Sequence, residues 1–133
     1  MKKILLLALA VTTLAACKHE SIEDRAAREA REYTLKNCPT PVRDYSRTDS
    51  MAFDKSTRTL SYYYSLVNEA DNEKVISLNK DKMHQSLLNA IINATNMKAY
   101  KDAAFTFRYV YHSGSNPSKV LYEATFTKKD YGI

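Results

Sequence analysis

Two stretches of strict alternation constrain this chain more than anything else in it. From Arg58 to Val67, Leu60, Tyr62, Tyr64 and Leu66 fall on one parity, with Ser61, Tyr63, Ser65 and Val67 on the other. From Ala104 to His112, Phe105, Phe107, Tyr109 and Tyr111 alternate with Thr106, Arg108, Val110 and His112. Period two with aromatic enrichment marks a half-buried strand, because successive side chains leave a strand on opposite faces. Each stretch has a neighbour. Asp49 to Asp54 precedes the first across Lys55-Ser56-Thr57. Val120 to Thr127 follows the second across the loop Ser113–Ser118, with Val120, Tyr122, Ala124 and Phe126 sharing a face. The pattern predicts a four-stranded antiparallel sheet with one apolar face.

Helices are predicted before each strand pair. Ser21-Ile22-Glu23-Asp24 has capping-box character, with Ser21 as N-cap and Asp24 three residues on. Asp24/Arg28, Arg25/Glu29 and Arg28/Glu32 are opposite charges at i,i+4. Ile22, Ala26, Ala30 and Tyr33 form a narrow apolar stripe, and the helix is expected to end at Asn37-Cys38-Pro39. After a polar loop at 68–72, Asn79 to Thr95 carries Met83, Leu87, Leu88, Ile91 and Ile92 at helical spacing, with Asn96 as the expected C-cap. The fold class is therefore α+β: a single two-layer domain over 21–133, in the order α-β-β-α-β-β, with two helices on one face of the sheet. At 133 residues the chain has room for one core.

The amino terminus reads MKKILLLALAVTTLAAC. Lys2 and Lys3 precede an apolar run too short to span about 30 Å of hydrocarbon, which needs roughly 20 residues. A basic start, a short apolar core and small residues at the end make a secretory signal. Leu14-Ala15-Ala16-Cys17 resembles the bacterial lipobox, the recognition site of lipoprotein signal peptidase. That resemblance implies a diacylglyceryl thioether on Cys17, cleavage before it, and N-acylation (a palmitate-type chain) of the new terminus. Residues 1–16 would then be removed, 17–20 would form a lipidated tether, and the protein would be membrane-anchored with its domain in water. Lys18 stands where an aspartate would resemble an inner-membrane retention signal, which favours the outer membrane, with the domain in the periplasm or at the cell surface. Two of the five surplus positive charges of the full chain leave with the signal. The mixed-sign remainder offers no basic stripe for nucleic acid.

Chemistry-bearing patterns are sparse. With Cys17 consumed by lipid, Cys38 is the one remaining thiol and cannot form an internal disulfide; it reads as a buried inert thiol, an intermolecular disulfide or a nucleophile. His19, His84 and His112 are far apart and form no metal-ligand spacing, so no metal and no cofactor are expected. Two glycines in the chain leave no glycine-rich phosphate loop, and no nucleophile elbow occurs, so no catalytic residue is assigned. Six of the ten tyrosines fall in predicted strands, as core fillers or as an aromatic platform for sugar or extended peptide. Tyr63 takes the opposite parity from the apolar face, together with Arg108, His112 and Glu123. That polar set is the candidate ligand or partner surface.

Asn37-Cys38-Pro39, Asp44, Arg47, Thr59-Leu60-x-Tyr62-x-Tyr64 and Phe107-Arg108-Tyr109-x-Tyr111 together resemble a group of small, uncharacterised bacterial envelope proteins. In that group the Asn-Cys-Pro cysteine often has a partner near the end of the second helix; Asn96 and Met97 stand there in this chain, so the resemblance implies no such disulfide. The group implies no activity. Size, tether and motif inventory favour a non-enzymatic, lipid-anchored binding or assembly module that docks an envelope protein. The alternatives are a small ligand-binding or hydrolytic domain acting on cell-wall sugar or peptide through Tyr63, Arg108, His112 and Glu123, and an immunity-type protein.

Overall fold

Ser21 starts the first helix: its hydroxyl accepts a 3.0 Å hydrogen bond from the Asp24 amide, a donor that a helix start otherwise leaves unpaired. The computed structural model describes residues 19–132, and helix α1 runs Ile22–Asn37. Strands β1 (Ser46–Asp54) and β2 (Thr59–Leu66) follow. Next come α2 (Glu73–Asn93), a short α3 (Lys98–Asp102), β3 (Thr106–Ser113), β4 (Val120–Phe126) and one last helical turn, α4 (Lys128–Tyr131). The single α+β domain and the order of its main elements agree with the sequence reading; α3 and α4 are additions to it. The signal segment 1–16, the lipidation residue Cys17 and Lys18 of the tether lie outside the described residues. No described helix is long and apolar enough to cross a membrane.

The sheet corrects one expectation. Its order is β1-β2-β3-β4, antiparallel at both outer pairs, but β2 and β3 run parallel. The sheet is mixed, not antiparallel throughout. The cause is α2, whose 21 residues at 1.5 Å each reach about 31 Å. That is enough to return the chain along the full length of an eight-residue strand. Strand β3 therefore restarts at the same end as β2, with Thr106 beside Thr59. Helix α2 also begins earlier than Asn79, because the Asn72 side chain accepts from the amides of Lys74 and Val75 at 3.0 and 3.2 Å. It ends on Ala94 and passes into a 3₁₀ turn at Thr95–Met97, so Asn96 is not its C-cap.

All four helices deliver their buried side chains to one cluster: Ala26 and Ala30 from α1, Ile76 and Ile91 from α2, Tyr100 from α3 and Tyr131 from α4. They meet Leu60, Phe107, Tyr109 and Phe126 on a single face of the sheet, with Phe105 below. Small residues at 26 and 30 let α1 lie close over β1, while α2 lies over β4. The opposite face carries Ser61, Tyr63 and Ser65 from β2 and Arg108, Val110 and His112 from β3. Val110 is buried there although it belongs to no helix-side contact cluster.

An edge strand presents unpaired backbone groups, and β1 is such a strand. Here α1 and the segment after it occupy that edge. Thr34 Oγ1 accepts from the Met51 amide at 2.8 Å and lies 3.0 Å from the Met51 carbonyl, to which it can donate. Thr40 bonds Thr48 in the same way, its amide donating to the Thr48 carbonyl at 3.0 Å and its hydroxyl accepting from the Thr48 amide at 2.9 Å. Thr34→Val keeps the shape and removes the polar partner, so the unfolding free energy should fall by about 1–3 kcal/mol in urea titration. Leu35→Ala, at a side chain 79% exposed, should change it by less than about 0.5 kcal/mol. Equal effects from the two would show that the covered edge contributes nothing.

Candidate functional site

Placing α1 over β1 and α2 over β4 leaves the two central strands between the helices, and their helix-side residues are tyrosines. Parallel pairing in register sets Tyr62 beside Tyr109 and Tyr64 beside Tyr111. Neighbouring strands lie about 4.8 Å apart, which is also the spacing of stacked rings. The rings accordingly stack: Tyr62 on Tyr109 at 4.9 Å and 7°, Tyr64 on Tyr111 at 4.7 Å and 13°, and Tyr64 near Tyr109 at 6.4 Å and 10°.

Three rings of this ladder, Tyr62, Tyr64 and Tyr109, floor a cleft of about 450 Å³, with Tyr33 and Met51 on one wall and Leu87 and Ala90 on the other. A smaller depression of about 210 Å³ continues it towards Leu60 and Tyr100, sharing Tyr62 and Met97. The hydroxyls of Tyr62, Tyr64, Tyr109 and Tyr111 make no hydrogen bond among the described residues. Burial raises the pKa of Tyr62, Tyr64 and Tyr109, reinforced by the neighbouring phenols, and pushes Tyr111 up to about 12. They remain neutral hydroxyls on an apolar floor. Such a surface can take apolar side chains and still hydrogen-bond a polar group carried with them; a phenol held this far towards its protonated form is no nucleophile at neutral pH.

The four residues expected on the polar parity share the other face. Arg108 Nε donates to Glu123 at 2.6 Å, and its guanidinium lies 3.3 Å from the Tyr63 hydroxyl and 6.0 Å from the centre of that ring. The His112 ring lies 6.3 Å from that of Tyr63, and its buried Nδ1 has no partner among the described residues. Only Tyr63 and Arg108 of the four line a depression there, about 330 Å³ bounded by Phe53, Thr59 and Ser61; His112 and Glu123 stand outside it. This set lies on one face as the parity predicts, whereas the strand tyrosines, expected as core fillers or as an aromatic platform, line a cleft on the helix side that the sequence reading did not place. Its signal was present in the matched parity of Tyr62/Tyr64 and Tyr109/Tyr111, which becomes a ladder only when the strands pair parallel.

The remaining candidates are dispersed. Cys38 is half-buried and in no disulfide among the described residues, and burial, with Asp49 nearby, pushes its thiol up, away from thiolate character. His84 packs on Phe126 at 4.8 Å between ring centres. Among the described residues no group of three His, Cys, Asp or Glu side chains is placed to hold a metal ion.

Fold and site together define a small two-layer α+β domain with an open groove between its helices. The chain belongs to the family described as a domain of unknown function (DUF8479), which matches residues 21–122. No curated protein matches it. Among solved structures it is similar to a Pseudomonas aeruginosa protein described as secreted, with TM-score 0.70, 10% identity, and coverage of 82% of this chain and 91% of that one. It is also similar to the type 2 secretion system pilotin EpsS of Vibrio vulnificus, with TM-score 0.62, 8% identity, and coverage of 84% and 92%. The type II secretion system pilotin AspS of Vibrio cholerae follows, with TM-score 0.55, 13% identity, and coverage of 81% and 90%. At these identities the likeness is one of fold.

Phenols that hold protons more tightly in the folded than in the unfolded chain favour the native state fully below their unfolded value of 10. That contribution is lost progressively as pH climbs above 10 towards their raised folded-state values. Stability in urea should therefore fall across this range, and the triple variant Tyr62→Phe, Tyr64→Phe, Tyr109→Phe should flatten the fall. An unchanged pH profile in that variant would place the alkaline loss elsewhere.

Proposed function

We propose that this protein is a lipid-anchored, non-enzymatic module of the bacterial envelope that binds a protein partner through the tyrosine cleft between α1 and α2. The observation that carries the reading is the cleft itself: stacked phenols whose hydroxyls lack partners among the described residues, walled by Met51, Leu87 and Ala90. Its chemistry suits apolar side chains from an amphipathic protein segment, which bury their stems on the rings while a backbone or side-chain polar group meets a hydroxyl. The shared fold with pilotins, proteins of a secretion system, supports an envelope setting and a role in assembly. The lipobox-like Leu14-Ala15-Ala16-Cys17 supports the anchor on Cys17, and Lys18 in place of an aspartate supports a place at the outer membrane.

Ala90 is exposed at the cleft wall, so Ala90→Glu adds a charge to the groove without touching the core. In membrane-preserving cross-linking from a photoreactive residue at position 87, partner capture should fall at least about tenfold in A90E, the equivalent of about 1.4 kcal/mol. The thermal midpoint should hold. Capture that survives A90E, or that is equally strong from position 78 on the exposed side of α2, would remove the cleft as the docking site. Mass spectrometry of the mature protein should find acyl chains on Cys17; a bare amino terminus would remove the anchor.

A second reading places a cell-wall sugar or peptide on the open face, favoured by the Tyr63 ring beside Arg108 at the 330 Å³ depression. Tyr63→Ala separates the two: loss of muropeptide binding with partner capture intact would establish that surface, and no measurable muropeptide binding by the native chain would end it.

A further inference from the structure

One end of the domain collects the start of α1, the β1–β2 turn, the end of α2, and all of α3 and α4. Asp24 pairs with Lys55 of the turn, and Glu23 pairs with Arg58 at 2.9 Å. The Arg58 guanidinium lies over Phe105 at 4.9 Å, and Tyr131 of α4 donates to the Phe105 carbonyl at 2.6 Å. The chain leading back to Cys17 leaves from this end. From Ser21 to Cys17 is four residue steps, at most about 14 Å when extended, so an acyl group on Cys17 holds this end within that distance of a lipid surface.

The charges at this end are unevenly spoken for. Carboxylates there are engaged: Glu20 with Arg28, Glu23 with Arg58, Asp24 with Lys55, Glu29 with Arg25 and Asp102 with Lys98. Asp54 accepts from the Ser56 amide and hydroxyl, and Asp130 closes the capping box of α4. Arg25 and Arg28, basic residues of α1 close to the tether in sequence, are consumed by these pairs, while Arg31, further along α1, is exposed and in no ion pair among the described residues. Three lysines are not in ion pairs among the described residues. Lys101 donates to the Ile91 and Ile92 carbonyls, Lys128 to the Lys101 carbonyl at 3.4 Å, and Lys129 is exposed. With Lys98, Lys101 and Lys128 rim a depression of about 340 Å³ at the end of α2.

We propose that this end is a membrane-docking surface, with Lys101, Lys128 and Lys129 taking the phosphates of anionic phospholipid headgroups. The proposal rests on the anchor at Cys17 proposed above, since the tether supplies the high local concentration that lets a few lysines act. Each basic residue at an anionic surface contributes about a fivefold bias, roughly a hundredfold for three. Docking fixes the sheet with this end down and presents the tyrosine cleft sideways to a partner in the same membrane.

The test is amine footprinting of the full lipidated protein on vesicles of phosphatidylcholine with and without phosphatidylglycerol. With phosphatidylglycerol, modification of Lys128 and Lys129 should drop about fivefold or more relative to Lys36 and Lys74 at the far end, and the protection should fade as salt rises to about 0.5 M. The double variant K128Q/K129Q should lose the protection at Lys98 and Lys101, whereas K128R/K129R should keep it. Equal modification on both vesicles, or protection indifferent to phosphatidylglycerol, overturns the proposal. Mass spectrometry of the same sample reads the anchor independently: an acylated chain with unprotected lysines removes the docking surface alone. An unacylated chain still protected on phosphatidylglycerol keeps the surface and removes the anchor.

Discussion

Parallel pairing of β2 with β3, in register, is the constraint on which the rest of this structure depends. It follows from α2 being long enough to return the chain to its starting end before β3 begins. Two antiparallel hairpins are thereby joined into one mixed sheet, and residues of matching parity in the central strands become lateral neighbours. The spacing of strands is close to the stacking distance of rings, so four tyrosines become a ladder. Shifting the register by one residue would send every ring to the opposite face.

The two faces then have different tasks. On the helix side, α1 and α2 cover the outer strands and leave the middle floored by phenols rather than sealed by aliphatics. A sealed core would need no hydroxyls there, and buried polar groups without partners are costly. Tyr62, Tyr64 and Tyr109 line the open cleft instead of a sealed interior. On the other side, polar residues of the sheet largely pair with one another, His112 Nδ1 excepted. Glu123 and Tyr63 hold Arg108, and the bulged Asp49 accepts from Ser65 at 2.6 Å and Arg47 at 2.9 Å. The cleft and the end that gathers Lys101, Lys128 and Lys129 are thus separate surfaces, one lined by phenols and the other carrying lysines that make no ion pair among the described residues.

Several elements were legible from residues alone because their causes are local. Ser21 caps α1 where its hydroxyl predicts, and the parity of Leu60 to Leu66 and Phe105 to Tyr111 assigns faces that the structure keeps. The Tyr63, Arg108, His112 and Glu123 set lands on one face for the same reason. The start of α2 was missed because Asn72 caps it through a side-chain bond that the apolar periodicity beyond Asn79 does not reveal. The short helices α3 and α4 were missed because their stability is tertiary: Tyr100 and Tyr131 are buried by strands distant in the chain.

Residue order by itself determined the α+β class, the number of strands and the face each side chain takes, since all of these are written in nearest-neighbour chemistry and short periods. Strand direction, the gap between α1 and α2, and the gathering of Lys101, Lys128 and Lys129 at one end were decided only in three dimensions. Those features depend on where a 21-residue helix sets the chain down, a length-and-packing condition that no alternating pattern encodes.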